Sequence, residues 1–488
     1  MIQKQSKGQV LIQVIVIGTI ATLMIGGLVG WAGVNLKLSR QALDRERSIQ
    51  LAEAGIEYYR WHLAHAAADY QDGTGTTGPY IHAVNDKDGN VLGTFSLAIT
   101  PPPVGSTKVT IASTGKTSTS SPVARTIKVE MAIPSLAKFA VVANDNMRFG
   151  EGTEVFGPVH SNGGIRFDGL VHNAVTSAQG SYDDPDHTGG NEFGVHTHVN
   201  PPPGNGVDNT FRGAEAPPSA VAARSDVFEA GRQFPVPATD FTGLTSDLSQ
   251  IKSNAQASGR YLAPSGSQGY QIILKTNDTF DVYRVTSQIS APSNCTNIAN
   301  QTGWGTWSVN NRTFVGNYVI PVNGLLFVED NAWVQGQINS ARLTIAAGRF
   351  PDNASTRPNI IVNNDLLYTN YEGSDVLALI SQGHVQVGMI SDTNLRIDAA
   401  LVAQNGRVGR FYYSPPANGQ TRCSPYHVRS SLTLFGMIAT NVRYGFAYTN
   451  GNGYTTRDIM YDANLLYGPP PSFPLTSDQY QVLSWEEI

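Results

Sequence analysis

Only two cysteines, Cys295 and Cys423, occur in 488 residues, which excludes a disulfide-dense scaffold and a Cys-x-x-Cys redox or zinc motif. Charge is scarce as well. Asp, Glu, Lys and Arg make up 15% of the chain, against about a quarter of an average soluble domain. The formal net charge of -5 gives no basic excess, so no nucleic-acid partner is expected. No Gly-x-Ser-x-Gly elbow and no His-Glu-x-x-His helix occurs, which removes the usual signals of nucleophilic and zinc hydrolysis. Gly115-Lys116-Thr117 looks like the end of a phosphate-binding loop, but Thr110 stands where that loop requires its first glycine.

Two further absences are local. No ionisable residue interrupts 10–33, and no proline occurs in 35–68. The first stretch predicts a helix of roughly 37 Å, long enough to cross a hydrocarbon core of about 30 Å. Lys4 and Lys7 precede it, so the N-terminal tail is expected to stay cytoplasmic and the chain after Asn35 to be exported. A secretory signal peptide fits poorly, because the apolar run is too long and no A-x-A site closes it. The second stretch continues the helix: Ile49, Ala52, Ile56, Tyr59 and Leu63 recur on one stripe, with Asp44, Arg45, Glu53, Glu57 and Arg60 largely off it. A helix of this length is expected to assemble with copies or partners.

The leader ending in Lys7-Gly8, the segment Gln9-Val10-Leu11-Ile12-Gln13-Val14 and the stretch Ser48-Ile49-Gln50-Leu51-Ala52-Glu53-Ala54-Gly55-Ile56 resemble type IV pilins, closest to PilX-like minor pilins. The resemblance implies a prepilin leader at 1–8 cut after Gly8 by a prepilin peptidase, a methylated Gln9, a transmembrane half at 9–34, an exposed amphipathic half at 35–68, and assembly with other pilins through this helix. Major pilins usually carry Glu at the fifth mature position; Gln13 stands there and removes a charge pair that would be strong in lipid. A minor or tip subunit is therefore the expected role.

Beyond the helix the period changes to two. Phe95, Leu97 and Ile99, then Val109 and Ile111, then Ile127, Val129, Met131 and Ile133 predict a small antiparallel sheet at 90–134, packed on the helix stripe. Farther on, Leu326, Leu343, Ile360, Ala378 and Leu395 each open an apolar pair at intervals of 17, 17, 18 and 17 residues. A fixed interval predicts a β-solenoid over 320–440, begun at 135–180 and interrupted by an insertion with proline-rich linkers at 181–319. An evenly spaced β-sandwich is the rival. The ending 461–471, with Phe473 and Trp485, resembles that of surface proteins coupling a PilX-like helix to a β-solenoid, as does 157–163, and 441–488 is expected to cap the last coil. The expected class is α+β, mainly β.

Chemistry is sparse. Export places Cys295 and Cys423 where a disulfide persists, leaving one bridge or two separate buried thiols. His160, His172, His187, His196 and His198 cluster in sequence; His196 and His198 would share a strand face, but surface or turn histidines are expected, with no metal and no cofactor. Asp183, Asp184, Asp186 and Glu192 around Gly189-Gly190 are a weaker calcium candidate, off EF-hand spacing. A β-helical carbohydrate-active enzyme would need converging carboxylates, and Asp330, Arg342, Asp365, Asp375, Asp392, Arg396 and Asp398 are scattered. The expected work is structural or adhesive at the cell surface or in a pilus, with a surface or carbohydrate ligand; the alternative is a single-pass anchored surface or sheath protein outside any filament.

Overall fold

The computed structural model describes residues 7–119, 122–241 and 243–488, so positions 1–6 of the expected leader lie outside it. The chain divides into two compact units. The first comprises Met1–Pro102, Lys108–Ala132 and Asp478–Ile488; the second comprises Pro103–Thr107 and Ile133–Ser477.

A single helix, α1 (Lys7–His65), opens the first unit. Its N-terminal half is bare, with Val10, Leu11, Ile17, Leu23, Leu28 and Trp31 all exposed, and it is long and apolar enough to cross a membrane. Its C-terminal half is spent on the unit's own sheet. Ala52, Ile56, Tyr59 and Leu63 are buried with Ile49 packed beside them, against Leu97, Ile111, Ile127, Val129 and Met131. The expected stripe thus serves this chain's core and is not left for a neighbour.

The sheet is antiparallel, running β1 (Tyr80–Asn85), β2 (Val91–Thr100), β3 (Val109–Thr117), β4 (Ala124–Ala132) and then the terminal strand Gln481–Glu487. Two of these five strands fall outside the expected 90–134. β1 lies ahead of that range, and pairing with β2 through Tyr80↔Leu97 gives it a ladder. The terminal strand corrects the expected cap: Trp485 pairs with Val129 at the sheet edge and is half exposed, while Phe473 is buried in the second unit. Glu486 and Glu487 hold the edge by ion pairs to Lys128 and Arg125. Gly115 in β3 explains the phosphate-loop likeness sterically, because a Cβ there would lie 2.0 Å from Ser48 O and 2.4 Å from Ala52 N on α1.

The second unit holds a 21-stranded sheet built mostly of parallel ladders. One ladder stacks Arg260, Leu326, Ile345, Leu379, Leu401, Ile438, Val141, Val159, Val175 and Arg232 in register. A second stacks Tyr270, Ala332, Ile360, Val385 and Val408. A third stacks Leu366, Ile397, Leu434, Ile459, Val155 and Val171. All three contribute to one apolar core.

This stacking corrects the 17-residue interval. Leu326 stacks on Ile345 and Ile345 on Leu379, whereas Ile360 belongs to the second ladder and Leu395 stacks on Leu432. Loops of unequal length separate the rungs, so register in space is constant while spacing in sequence is not. The segment 181–319 is also no simple insertion. It supplies Arg232–Gln233 at one end of the first ladder and Arg260–Leu262 at the other. Likewise Gly453–Tyr461, expected in a cap, pairs with strands on both sides within the sheet.

Ten rungs at about 4.8 Å put those two ends roughly 43 Å apart. Helix α2 (Gly243–Ser258) supplies about 24 Å of the return path, by its 16 residues at about 1.5 Å each. It buries Leu248, Ile251 and Ala255 against Leu325, Phe327, Ala346 and Ala378 on the outer face of the ladder. With both faces covered, Val376–Ser381 is buried throughout, the pattern of a parallel strand inside a protein.

Substituting Gly115→Val should break the α1–sheet contact. Two backbone atoms, which cannot move aside as a rotamer does, stand where the new Cβ must go. A loss of about 3 kcal/mol or more is expected in urea unfolding of the first unit, while Leu63→Ala should cost about 2–5 kcal/mol.

Candidate metal centre

Asp184, His187, Glu192, His196 and His198 each offer a ligand atom, and these atoms all lie within 4.8 Å of one another. Short elements bring them together. An antiparallel pair, Ser181–Tyr182 with Glu192–Phe193, carries Asp184 and His187 in its connecting loop. The next strand, Val195–His196, runs parallel to Ile165–Phe167, and His198 follows two residues on. Gly194 permits the sharp approach, since a Cβ there would lie 1.7 Å from Gln179 O.

The three imidazoles converge on one carboxylate. Glu192 Oε2 lies 2.9 Å from His187 Nε2 and 3.1 Å from His196 Nε2, and Glu192 Oε1 lies 3.2 Å from His198 Nε2. Asp184 Oδ2 is 3.6 Å from both His187 Nε2 and His196 Nε2. Despite these distances, His196 Nε2 is buried without a partner of hydrogen-bond geometry. All five side chains are at most 3% exposed.

The opposite ring nitrogens are tied outward. His196 Nδ1 faces Phe193 O at 3.3 Å, His198 Nδ1 faces Asp208 Oδ1 at 3.3 Å and His187 Nδ1 faces Thr188 O at 3.4 Å. Asp168 Oδ1 accepts the His198 amide at 2.9 Å, and Glu192 Oε1 accepts the Arg212 amide at 2.9 Å. Arg166, fully buried, donates to Asp168 at 2.7 Å and reaches Asp184 at 3.4 Å. Burial opposes charge on Asp184 and Glu192, but the facing imidazoles overcome it and hold both carboxyls well below the usual range. Burial likewise pushes His196 down, and Asp184 and Glu192 reverse that and raise it.

The expectation of surface or turn histidines is therefore corrected for these three. His196 and His198 are fully buried and gain the third imidazole, His187, from the preceding loop. Grouping histidines apart from acids hides the pattern His187, Glu192, His196, His198, which lies within one short stretch. The calcium grouping is dispersed. Asp186 is claimed by Arg148 at 3.1 Å and Arg443 at 3.0 Å, and Asp183 is exposed. His160 sits elsewhere, between Thr176 and Asn162 at 3.0 and 3.2 Å, and His172 bridges Glu154 and Glu229 at 2.7 Å each.

Cys295 and Cys423 form a disulfide across a separation of 128 residues, beside Met389, Phe411 and Tyr413. The acids of the ladder region are bound to backbone amides. Asp375 accepts the amides of Ala341, Thr369 and Asn370, Asp398 that of Tyr368, and Asp365 that of Arg396. Arg342 donates to the carbonyls of Val104, Gly373, Gly468 and Pro469.

No family model matches this chain, and no curated protein matches it. The crystal structure of the competence-associated pilin ComZ from Thermus thermophilus is similar at 12% identity, covering 90% of this chain and 97% of that one, with a TM-score of 0.28. A superposition that loose carries no argument here.

His172 supplies a pH test. Hydrogen bonds that His172 donates to Glu154 and then to Glu229 raise its pKa. Its contribution is thus complete below the ordinary histidine value and is lost as pH rises through the raised folded-state value. His172→Gln should melt below the wild type at about pH 5.5 and match it at about pH 9. Melting curves across that range are the check.

Proposed function

We propose that this chain is a pilin-like surface subunit, of the PilX-like minor or tip kind, held by α1 and displaying its second unit as a β-solenoid. The observation that carries the reading is the division of α1 into a bare apolar half and a half consumed by the small sheet. Bare apolar surface on this scale is stable only in hydrocarbon or against other apolar helices. Insertion in the membrane followed by packing with other pilins supplies both. The assembly surface is accordingly 9–34, not the stripe from Ile49 to Leu63. Gly8 lies within α1, and the prepilin peptidase would cut after it to leave Gln9 as the methylated terminus.

Three parallel ladders sharing one core support the solenoid, since each rung buries its inward residues only against the rungs above and below. What the acids do supports a structural and adhesive role over catalysis. Glycoside hydrolysis by the common routes takes two carboxylates flanking the bond. A groove of about 680 Å³ has Asp330 as the single carboxylate among its lining residues.

That groove suits a carbohydrate ligand. Trp307, Arg357, Asn359, His384 and Asn405 line it, pairing an aromatic face with amides and polar side chains. Trp307 holds a φ of 49°, a strained value for a bulky L-residue. The conformation is pinned by its own indole donating to Gly303 O at 3.0 Å and by Trp333 and Asn363 donating to its carbonyl at 2.9 and 2.7 Å.

Mass spectrometry of the cell-surface protein should find an N-terminus at methylated Gln9. An intact Met1 would overturn the pilin route in favour of a single-pass anchored surface or sheath protein. Trp307→Ala should weaken binding on a glycan array by about tenfold or more; unchanged binding, or none by the wild type, removes the groove from the adhesive role.

A further inference from the structure

The histidine–carboxylate cluster cannot be satisfied by the protein alone. Each of the three rings has its Nδ1 against an oxygen that only accepts, and its Nε2 against ionised carboxylates that only accept. A neutral imidazole has one N–H: with Nδ1–H pointing outward the Nε2 lone pair is aimed at carboxylate lone pairs, and with Nε2–H pointing inward the Nδ1 lone pair faces an accepting oxygen. The buried, unpartnered Nε2 of His196 is the sharpest instance. Lone pairs at 2.9–3.2 Å repel unless a cation stands between them.

Two kinds of cation can fill that place. One is protons on all three rings. That sets three imidazoliums side by side, with ring centroids 4.9 and 5.2 Å apart and the Arg166 guanidinium beside Asp184. The other is a single metal ion, which neutralises both carboxylates while every ring stays neutral. Ligands about 2.1 Å from an ion lie about 3 Å apart along the edges of its coordination polyhedron and about 4.2 Å across it. The contacts of 2.9–3.6 Å fit that spacing. The outward Nδ1 bonds fix the tautomer that a metal requires, as outer partners of ligating histidines do.

We infer that Asp184, His187, Glu192, His196 and His198 bind one divalent transition-metal ion that ties the strands and connecting loop of 181–198 to one another. Three imidazoles select zinc, manganese, iron, cobalt or nickel over calcium and magnesium, which take oxygen cages. All five donors come from the protein and every one of their side chains is at most 3% exposed, so no substrate has access and the ion is structural. The segment needs such a clip. Its strands Ser181–Tyr182, Glu192–Phe193 and Val195–His196 are two residues each, too short to hold it by ladder bonds.

The test uses the full chain in detergent, purified without a histidine tag, stripped with EDTA and then offered Zn(II), Mn(II), Co(II), Ni(II) or Ca(II) separately. Elemental analysis after gel filtration should find about one equivalent of a transition ion and no stoichiometric calcium. The loaded protein should melt several degrees above the stripped one. His196→Gln and His187→Gln should each lose the equivalent, and His172→Gln, whose histidine lies elsewhere, should keep it. Asp208→Asn, which alters the outward bond of His198 along with the pairs Asp208 makes to Arg212 and Thr210, should weaken affinity by about 10–100-fold. Circular dichroism of each variant establishes that it is folded. A folded wild type that retains none of these ions overturns the inference and leaves a proton-held imidazolium–carboxylate cluster. Full retention by folded His196→Gln and His187→Gln places the ion elsewhere and overturns it equally; if both variants unfold, the stripped-and-reloaded wild type alone decides.

Discussion

The closure made by Val141 stacking on Ile438 and Val155 on Ile459 is the contact on which the second unit depends. A parallel ladder buries each rung against its neighbours, and this contact joins a wall laid down early in the chain to one completed late. Without it the unit would be two shorter stacks, each with an open edge offering unpaired amides and carbonyls. The chain also enters the unit beside the point where it leaves. Ser135 bridges Leu475, and Thr476 donates to Pro134 O at 3.0 Å. Neighbouring entry and exit points explain how 345 residues, Ile133–Ser477, can be inserted between β4 and the terminal strand of the small sheet without breaking their pairing.

Two different physical means hold the chain together in that unit. The ladders rely on columns of aliphatic side chains, fully buried and interchangeable in kind. The stretch between Ser181 and Arg232 has few such residues and instead packs charged and imidazole groups, with Asp184, Glu192, His196 and His198 buried beside Arg166 and Asp168. Buried charges are tolerable only when paired and hydrogen-bonded. The network around Glu192 supplies most of those pairs, and a bound ion would supply the rest.

Much of the first unit was legible because its patterns are local. The 3.6-residue stripe from Ile49 to Leu63 and the alternation in β2, β3 and β4 each follow from a few consecutive residues. β1 and the terminal strand were not, since each becomes a strand only by pairing with an edge formed elsewhere. The ladder region was legible in composition and misread in spacing. Apolar pairs such as Leu343 and Ile345 do face the core, but unequal loops meant that evenly spaced pairs belonged to different ladders. The candidate metal centre was half visible. His196 and His198 stood out as alternate residues, whereas His187 and Asp184 join them only because the loop after Tyr182 folds back.

By itself the sequence determined the bare apolar run, the long uninterrupted helix and the β-rich remainder, because hydrophobic period and the absence of proline or charge act over neighbouring residues. The tertiary structure alone decided which rungs are neighbours, where the strands after Ile133 rejoin those before Thr440, and that five polar side chains share one buried point. Those are facts of closure between distant segments. Register in a parallel ladder is set by the side chains that meet across it, and no stretch of sequence contains both partners.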